Sequence, residues 1–210
     1  LRGFTIQNTF FPYVCVIVDD ASTDGEQEVI LQFLDKQFKN PFYKEDTDDY
    51  SLICAESVEN TNCTFIVFFL KYNHYIIKKP KMPYLSKWLE GAKYHAICEG
   101  DDYWTSNNKL QAQYDYLEDH ISCGLVYTKA RILDEHNNIF TGTVGNGNNS
   151  FSEILISNPI PTLTVMYRAE IYRNYLKEVA PSTKGWRMGD YPIWLYVASK
   201  HDLHFIDETM

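Results

Sequence analysis

Uninterrupted apolar runs alternate along the chain with segments in which apolar residues recur at helical spacing. Residues 13–18 and 65–70 are apolar at nearly every position, which is typical of strands covered on both faces in a parallel sheet. Shorter runs predict further strands at residues 94–98, 125–128, 130–133, 161–167 and 204–206. Helical spacing predicts helices over residues 26–38, 84–92, 108–120, 169–179 and 191–199. This alternation predicts an α/β fold with a mostly parallel central sheet flanked by helices.

Two polar stretches interrupt this pattern. Residues 44–50 are rich in acids, and we expect them to be solvated. Residues 141–150 are rich in Gly and Asn, which predicts a loop rather than a packed element. That loop is either a lid that becomes ordered when a donor binds or simple surface disorder.

Composition excludes several classes of protein. The 210 residues suit a single domain spanning 1–210, and 19 Lys and Arg against 28 Asp and Glu give a net charge of −9. Because gripping a nucleic-acid backbone needs clustered cations, nucleic acid is not expected as a partner. Five cysteines without CxxC spacing predict free thiols in a reducing cytoplasm. No apolar run approaches the ~20 residues that cross a bilayer.

Acidic pairs follow two of the predicted strands. Asp19-Asp20 ends the first strand, and Asp101-Asp102 closely follows the strand at residues 94–98. Ligands of open α/β sheets bind beyond the carboxyl ends of strands, where four like charges would need a cation or polar ligand between them. Carboxylates without paired His or Cys suit Mg²⁺ or Mn²⁺, whose remaining ligands are usually substrate phosphates. The spacing therefore predicts a metal-dependent site for a phosphorylated substrate.

Three ordered motifs resemble those of family 2 glycosyltransferases with the GT-A fold. Residues 18–25 (VDDASTDG) resemble the nucleotide-binding signature, and residues 98–105 (CEGDDYWT), followed by KLQ at 109–111, resemble the metal-binding Asp-x-Asp region. The second motif is closest to the bacterial subgroup that has Glu-Gly-Asp-Asp-Tyr-Trp there. Residues 189–195 (GDYPIWL) resemble the late motif that carries the catalytic base.

The resemblance implies an inverting, metal-dependent transfer of a sugar, by default from a UDP-sugar, to an acceptor hydroxyl. Asp190 would be the general base, and Asp101 and Glu99 would hold Mn²⁺ or Mg²⁺. The acceptor side would include Trp104 and Trp186. The nucleotide-sugar would contact Asp19, Asp20, Ser22, Asp24, Glu99 and Lys109.

Several of these roles have open alternatives. Asp20 could bind nearby amides in a turn, Asp190 could also cap the helix that follows it, and the tryptophans could be core residues. Glu99 stands where the family usually has Asp, so it either acts through water or contacts the ribose. Asp102 either braces the loop or touches the ion. The lysines within residues 71–81 either contact a diphosphate or anionic membrane or form a solvated face.

The family also suggests where and on what the protein would act. The acceptor would be a saccharide or a lipid-linked glycan of a cell-surface polysaccharide or glycoconjugate. The enzyme would be cytoplasmic, with peripheral contact at the inner membrane face. Residues 1–128 would bind nucleotide-sugar and metal, and residues 129–210 would form the acceptor side. The family's first strand would precede residue 1, so we expect a chain truncated at both ends; its oligomeric state is not predicted.

Two further classes stay open. A non-catalytic relative that binds sugar nucleotides is suggested by Glu99 and by the missing ends. A nucleotidyltransferase of similar architecture would carry a Gly-rich, basic phosphate loop near its first strand, and the visible sequence has no such loop.

Overall fold

The computed structural model describes residues 1–38, 42–186 and 188–210. The chain divides into two compact units, Leu1–Gly91 and Ala92–Met210. This structural division comes earlier in the chain than the functional boundary expected after residue 128, which falls inside a strand of the second unit. The proposed division into donor and acceptor halves stays a prediction.

The described residues of the first unit form a four-stranded sheet and three helices. Its elements are α1 (Arg2–Thr5), β1 (Tyr13–Asp19), α2 (Glu26–Gln37), β2 (Tyr43–Asp46), β3 (Tyr50–Glu56), β4 (Cys63–Leu70) and α3 (Met82–Glu90). The strand order is β1-β4-β3-β2, with β1 parallel to β4 and the other pairs antiparallel. Ile30 and Leu34 of α2 pack with one face of this sheet, and Tyr84 and Trp88 of α3 pack with the other. The strand predicted at residues 65–70 is therefore buried on both faces, as expected.

The predicted solvated stretch at residues 44–50 is partly wrong. It contains most of β2, a turn and the first residue of β3, which pair as an antiparallel hairpin. β2 is an edge strand whose residues are largely exposed. Because an edge strand can form its ladder without burying either face, its sequence can be polar throughout.

In the part of the second unit that the structure describes, a five-stranded sheet packs with helices. Its elements are β5 (Tyr94–Ala96), α4 (Lys109–Asp119), β6 (Cys123–Asp134), β7 (Ile139–Val144), α5 (Phe151–Ile156), β8 (Met166–Arg168), α6 (Ala169–Val179), α7 (Tyr191–Ala198) and β9 (Asp202–Thr209). The strand order is β5-β8-β6-β7, and β9 pairs with β6. Single 3₁₀ turns lie at Thr162–Thr164 and Pro181–Thr183. The core joins this sheet to α6 and to the side of α7 that carries Ile193, Trp194 and Val197.

The prediction of a mostly parallel sheet is wrong. In the described residues only β1·β4 and β6·β9 are parallel, whereas β2·β3, β3·β4, β5·β8, β6·β7 and β6·β8 are antiparallel. An apolar run reports burial on both faces but not the direction of the neighbouring strand. Short connections such as that between β2 and β3 permit only antiparallel pairing. The fold is thus a mixed α/β fold.

The Gly/Asn-rich stretch is held by specific contacts. Residues 141–144 belong to β7, and Ser150 forms a capping box with Glu153 at the start of α5. Between them, the Tyr127 hydroxyl donates to the Asn146 carbonyl, and Asn149 Nδ2 donates to the Leu203 carbonyl at 3.2 Å. These bonds do not support simple surface disorder, and the lid stays a prediction.

The helices in the described residues are all too short or too polar to cross a membrane.

Candidate active site

The first predicted motif forms a turn between β1 and α2. The buried carboxylate of Asp19 accepts a hydrogen bond from Gln27 Nε2 and lies 3.4 Å from the Ser22 amide. Asp24 Oδ1 accepts from the Glu26 amide at 3.2 Å, and the Ser22 hydroxyl donates to Glu26 at 3.1 Å. The polar groups of the motif therefore fix the entry into α2.

Asp20 binds a loop that lies more than 50 residues away along the chain. Its carboxylate accepts hydrogen bonds from the amides of His74 at 2.7 Å and Tyr75 at 3.1 Å, and it pairs with Lys81 Nζ at 2.9 Å. Burial raises the pKa of Asp20, but the Lys81 ammonium and the two amides outweigh it, so the net shift is downward. Asp20 therefore binds backbone amides, as the alternative role expected, but those of a distant loop rather than those of its own turn. They also place Lys81 in an ion pair rather than on a free basic face.

The second motif forms a tight turn after β5. The Asp102 amide donates to the Glu99 carbonyl at 3.2 Å, which closes the turn that contains Asp101. Glu99 and Asp101 are exposed, and Asp102 is half-buried. The turn therefore carries three acidic side chains within four residues.

Asp190 of the third motif lies at the N-cap position of α7. Among the described residues, its side chain accepts no capping hydrogen bond from that helix. Instead, Asp190 Oδ2 accepts a hydrogen bond of 2.6 Å from the hydroxyl of Thr162, in the 3₁₀ turn before β8. The Asp190 carboxylate is thus oriented by the Thr162 hydroxyl rather than used as a cap. Asp190 is half-exposed. Thr162 was not predicted, because two residues 28 positions apart show no local pattern.

The acidic turn and Asp190 act on each other electrostatically. Although Glu99 is exposed, partial desolvation of its carboxylate raises its pKa, and the negative charges of Asp102, Asp190 and Asp101 raise it further. Burial and the charge of Asp101 likewise raise the pKa of Asp102. The charges of Asp190 and of the acidic turn, about 90 residues apart along the chain, therefore act on each other within the second unit, and these four acids are called the acidic cluster.

The donor chemistry of this cluster fits a hard divalent cation. Carboxylate oxygens are the ligands that Mg²⁺ and Mn²⁺ prefer, and their mutual repulsion would be relieved by a cation. Within the described residues, however, no three His, Cys, Asp or Glu side chains converge as a metal-binding group.

Lys109 is fully buried, so in this conformation it cannot contact a bound nucleotide as predicted. Its Nζ donates to Gln113 Oε1 at 2.7 Å and lies 4.3 Å from the centre of the Trp104 ring. Burial lowers the pKa of Lys109 to about 7. Gln113 in turn donates to the carbonyls of Val126 and Thr164, at 3.2 and 2.8 Å. Sequence reasoning missed Gln113, whose position four residues after Lys109 on a helix was the available signal.

The two predicted acceptor-side tryptophans have opposite environments. Trp104 is 6% exposed and donates from Nε1 to the Leu163 carbonyl at 2.8 Å. A buried indole cannot stack on a sugar in this conformation, so Trp104 matches the core alternative. Trp186 is 48% exposed and lines a groove along α7.

No protein-family model matches the chain. An uncharacterized protein of Mycobacterium bovis and one of Mycobacterium tuberculosis are each 27% identical to it over 173 residues. Each alignment covers 81% of this chain and 42% of the relative. The chain therefore spans less than half the length of these curated relatives.

Proposed function

We propose that this protein is an inverting, metal-dependent glycosyltransferase of the GT-A type, related to family 2. The observation that carries the proposal is the orientation of Asp190. Its carboxylate is fixed by Thr162 rather than by its own helix, and its charge acts on Glu99 in the acidic turn. A held carboxylate beside a cluster that suits a cation is what a single-displacement transfer requires.

Asp190 would act as the general base. It takes the proton from the acceptor hydroxyl as that oxygen bonds to the anomeric carbon of the donor, and the bond from this carbon to the diphosphate breaks with its electron pair. One base and one displacement invert the configuration. A positioned general base contributes roughly 10²–10⁴-fold to the rate.

Asp101 and Glu99 would hold Mn²⁺ or Mg²⁺, with the donor diphosphate completing its ligands. The metal supplies charge neutralisation for the departing nucleoside diphosphate. Both side chains are exposed, and the neighbouring charges that raise the pKa of Glu99 favour a positive ion at this position.

Asp19 and Asp20 shape the turn after β1 from within, since protein donors already bind both carboxylates. We propose that the donor is a UDP-sugar and that the acceptor belongs to a polysaccharide or glycoconjugate. The cytoplasm, at the inner membrane face when the acceptor is lipid-linked, is the proposed site of action.

The test compares the protein with its Asp190→Asn variant in a turnover assay over a panel of UDP-sugars with Mn²⁺. We expect kcat to fall at least 100-fold while UDP binding, measured by calorimetry with Mn²⁺, changes less than threefold. Asp119→Asn, an exposed acid at the end of α4, is the matched control and should keep full activity. Equal turnover by Asp190→Asn would remove Asp190 as the base.

The same experiment separates the alternative of a non-catalytic relative. That alternative predicts tight binding of UDP and Mn²⁺ with no turnover of any donor in the panel. The Asp101→Asn variant adds a second readout, because loss of a metal ligand should weaken the Mn²⁺ dependence of UDP binding whether or not turnover occurs.

A further inference from the structure

Lys109 is a buried amine that the proposed chemistry does not use. It is the first residue of α4, it is fully buried, and its Nζ donates to Gln113 Oε1 at 2.7 Å. Burial lowers the pKa of Lys109 to about 7, so at neutral pH an ammonium at this position weakens the fold. An apolar side chain would fill the same space without that cost. A residue that breaks the rules of burial in this way is a candidate for a role in function.

The Lys109 ammonium covers the ring that follows the acidic turn. Its Nζ lies over the Trp104 ring, 4.3 Å from the ring centre, which is the distance of a cation–π contact. Trp104 is buried, lies two residues after Asp102, and donates from Nε1 to the Leu163 carbonyl at 2.8 Å. The indole is therefore held at its edge by the 3₁₀ turn and on its face by Lys109. This fixes the segment that leaves the acidic turn.

The segment that enters the acidic turn also lies near Lys109. The Cys98 thiol donates to the Asp102 carbonyl at 3.6 Å. Burial raises the pKa of this thiol to about 11, so the thiol keeps its proton at neutral pH. Lys109 and Cys98 lie close enough for the charge of each to shift the pKa of the other. Lys109 is thus near both ends of a turn that is closed by the Asp102 amide and the Glu99 carbonyl.

Gln113 joins Lys109 to the 3₁₀ turn that orients Asp190. Its Nε2 donates to the Thr164 carbonyl at 2.8 Å, and Thr162 of the same 3₁₀ turn donates to Asp190 Oδ2. Neither of these two hydrogen bonds involves the Lys109 amine. Loss of the amine should therefore loosen the acidic turn and leave the orientation of Asp190 in place.

We propose that Lys109 is a positioning residue, whose ammonium holds the Trp104 ring and thereby fixes the carboxylates of the acidic turn for a divalent cation. As a fully buried amine it would order the site from within rather than contact the donor, which is the role that the sequence suggested. The cation rests on the proposed function; the ordering of the acidic turn by Lys109 does not.

The experiment compares wild type with Lys109→Met by hydrogen exchange of the Asp102 amide, followed by NMR without metal or nucleotide. Removing one desolvated cation–π contact should speed this exchange about tenfold. Leu117→Ala, which truncates a fully buried apolar side chain on the same helix, is the matched control. Because a turn amide exchanges through local opening, general destabilisation by Leu117→Ala should leave it unchanged. Equal acceleration in both variants, or no acceleration in Lys109→Met, would overturn the proposal.

The pH dependence separates positioning from a purely structural role. The Lys109 charge is lost as the pH rises through about 7, so protection of the Asp102 amide, corrected for the intrinsic exchange rate, should fall between about pH 6 and pH 8. The stability of the fold should rise over the same range, because a buried charge is lost. Among the described residues, Cys98 is the titratable group whose charge acts on Lys109, and its pKa of about 11 keeps it protonated throughout. Opposite trends in wild type that disappear in Lys109→Met support positioning, whereas parallel trends would contradict it.

Mn²⁺ binding connects the acidic turn to the proposed function. In the presence of UDP, Lys109→Met should weaken Mn²⁺ binding, measured by electron paramagnetic resonance, at least fivefold, because outer contacts of metal sites commonly contribute about tenfold or more to affinity. Leu117→Ala should bind Mn²⁺ as the wild type does. An unchanged affinity in Lys109→Met, in a protein that binds the ion, would overturn the positioning role.

The two kinds of failure are distinguishable, since the exchange experiment contains no donor, metal or turnover. If exchange behaves as expected while the wild type neither binds Mn²⁺ nor turns over any donor, Lys109 still orders the acidic turn and the transferase is lost. If the wild type binds Mn²⁺ and is active while Lys109→Met leaves Asp102 exchange unchanged, the transferase remains and the positioning role is lost.

Discussion

Replacing Lys109 by Met should change how the stability of the protein depends on pH. The Lys109 amine is fully buried, and burial lowers its pKa from the ordinary 10.5 to about 7. Between these two values the unfolded chain binds more protons at this residue than the folded chain does. Stability therefore rises with pH across this window, and the destabilisation caused by Lys109 is complete below about pH 7. Methionine has a similar length and no charge, so the variant should lose this contribution.

The magnitude follows from the two pKa values. With 10.5 in the unfolded chain and about 7 in the folded one, the wild type should gain about 2 kcal/mol relative to the variant between pH 7 and pH 9. The variant also loses the hydrogen bond to Gln113 and the contact with the Trp104 ring. Those losses lower the stability of the variant at pH 7 and at pH 9 alike. The quantity to measure is therefore the change with pH in the stability difference between wild type and variant.

The assay is urea unfolding of both proteins at pH 7, 8 and 9, followed by circular dichroism. Lys177→Met, at an exposed position on α6 of the same unit, is the matched control and should keep the wild-type slope. Curves for wild type and Lys109→Met that stay parallel within about 0.5 kcal/mol would refute the argument. That result would mean that Lys109 is solvated, and its role as a nucleotide contact would be open again.

Three further outcomes are expected. Thr162→Val removes the hydroxyl that holds Asp190 and should lower kcat about tenfold, or about 1.4 kcal/mol, with UDP affinity unchanged. Thr162→Ser keeps a hydroxyl and should restore kcat. An equal loss of kcat in the Val and Ser variants would indicate a structural role. Ser150→Ala removes the capping box of α5 and should cost about 1 kcal/mol in urea unfolding, whereas no loss would mean that the cap is not formed in solution. Asp20→Asn should lower stability at pH 7 by about 1–2 kcal/mol. Because the pKa of Asp20 is lowered by its Lys81 and amide partners, the deficit should shrink as the pH falls below 4, and an unchanged deficit at pH 3 would contradict this.

The sequence predicted most of the elements that bury apolar faces, but it missed β3, whose Leu52, Cys54 and Ala55 are buried. β1, β4 and the helices α2, α4 and α6 lie within a few residues of their predicted bounds. β2 was not predicted because its residues are mostly polar and exposed, and β7 was not predicted because it overlaps the Gly/Asn-rich stretch expected to be a loop. The predicted strands at 125–128 and 130–133 are one strand, β6, since the intervening Lys129 is a half-buried strand residue rather than a break.

The sequence indicated which acids to examine but not what holds them. Asp190 and the acidic turn carry recognisable motifs, whereas Thr162 is identifiable only once the chain has folded back on itself. Lys109 followed a motif that suggested ligand contact, yet it lies on the buried side of α4. Charge alone cannot distinguish these cases, because a lysine can be buried when a neighbouring amide oxygen accepts a hydrogen bond from its Nζ and an aromatic ring covers it.

One short turn connects the parts of the proposed site in the second unit. The three successive residues of the 3₁₀ turn Thr162–Thr164 bind, in order, the Asp190 carboxylate, the Trp104 indole and the Gln113 amide. Trp104 lies two residues after the acidic turn, so the position of the proposed metal ligands and the orientation of the proposed base both depend on this 3₁₀ turn. A change that displaces the turn should therefore impair Mn²⁺ binding and proton transfer together, whereas Thr162→Val, which removes one hydroxyl and leaves the backbone in place, should affect proton transfer alone. Measuring both properties in the same variants distinguishes a shared scaffold from two independent sites.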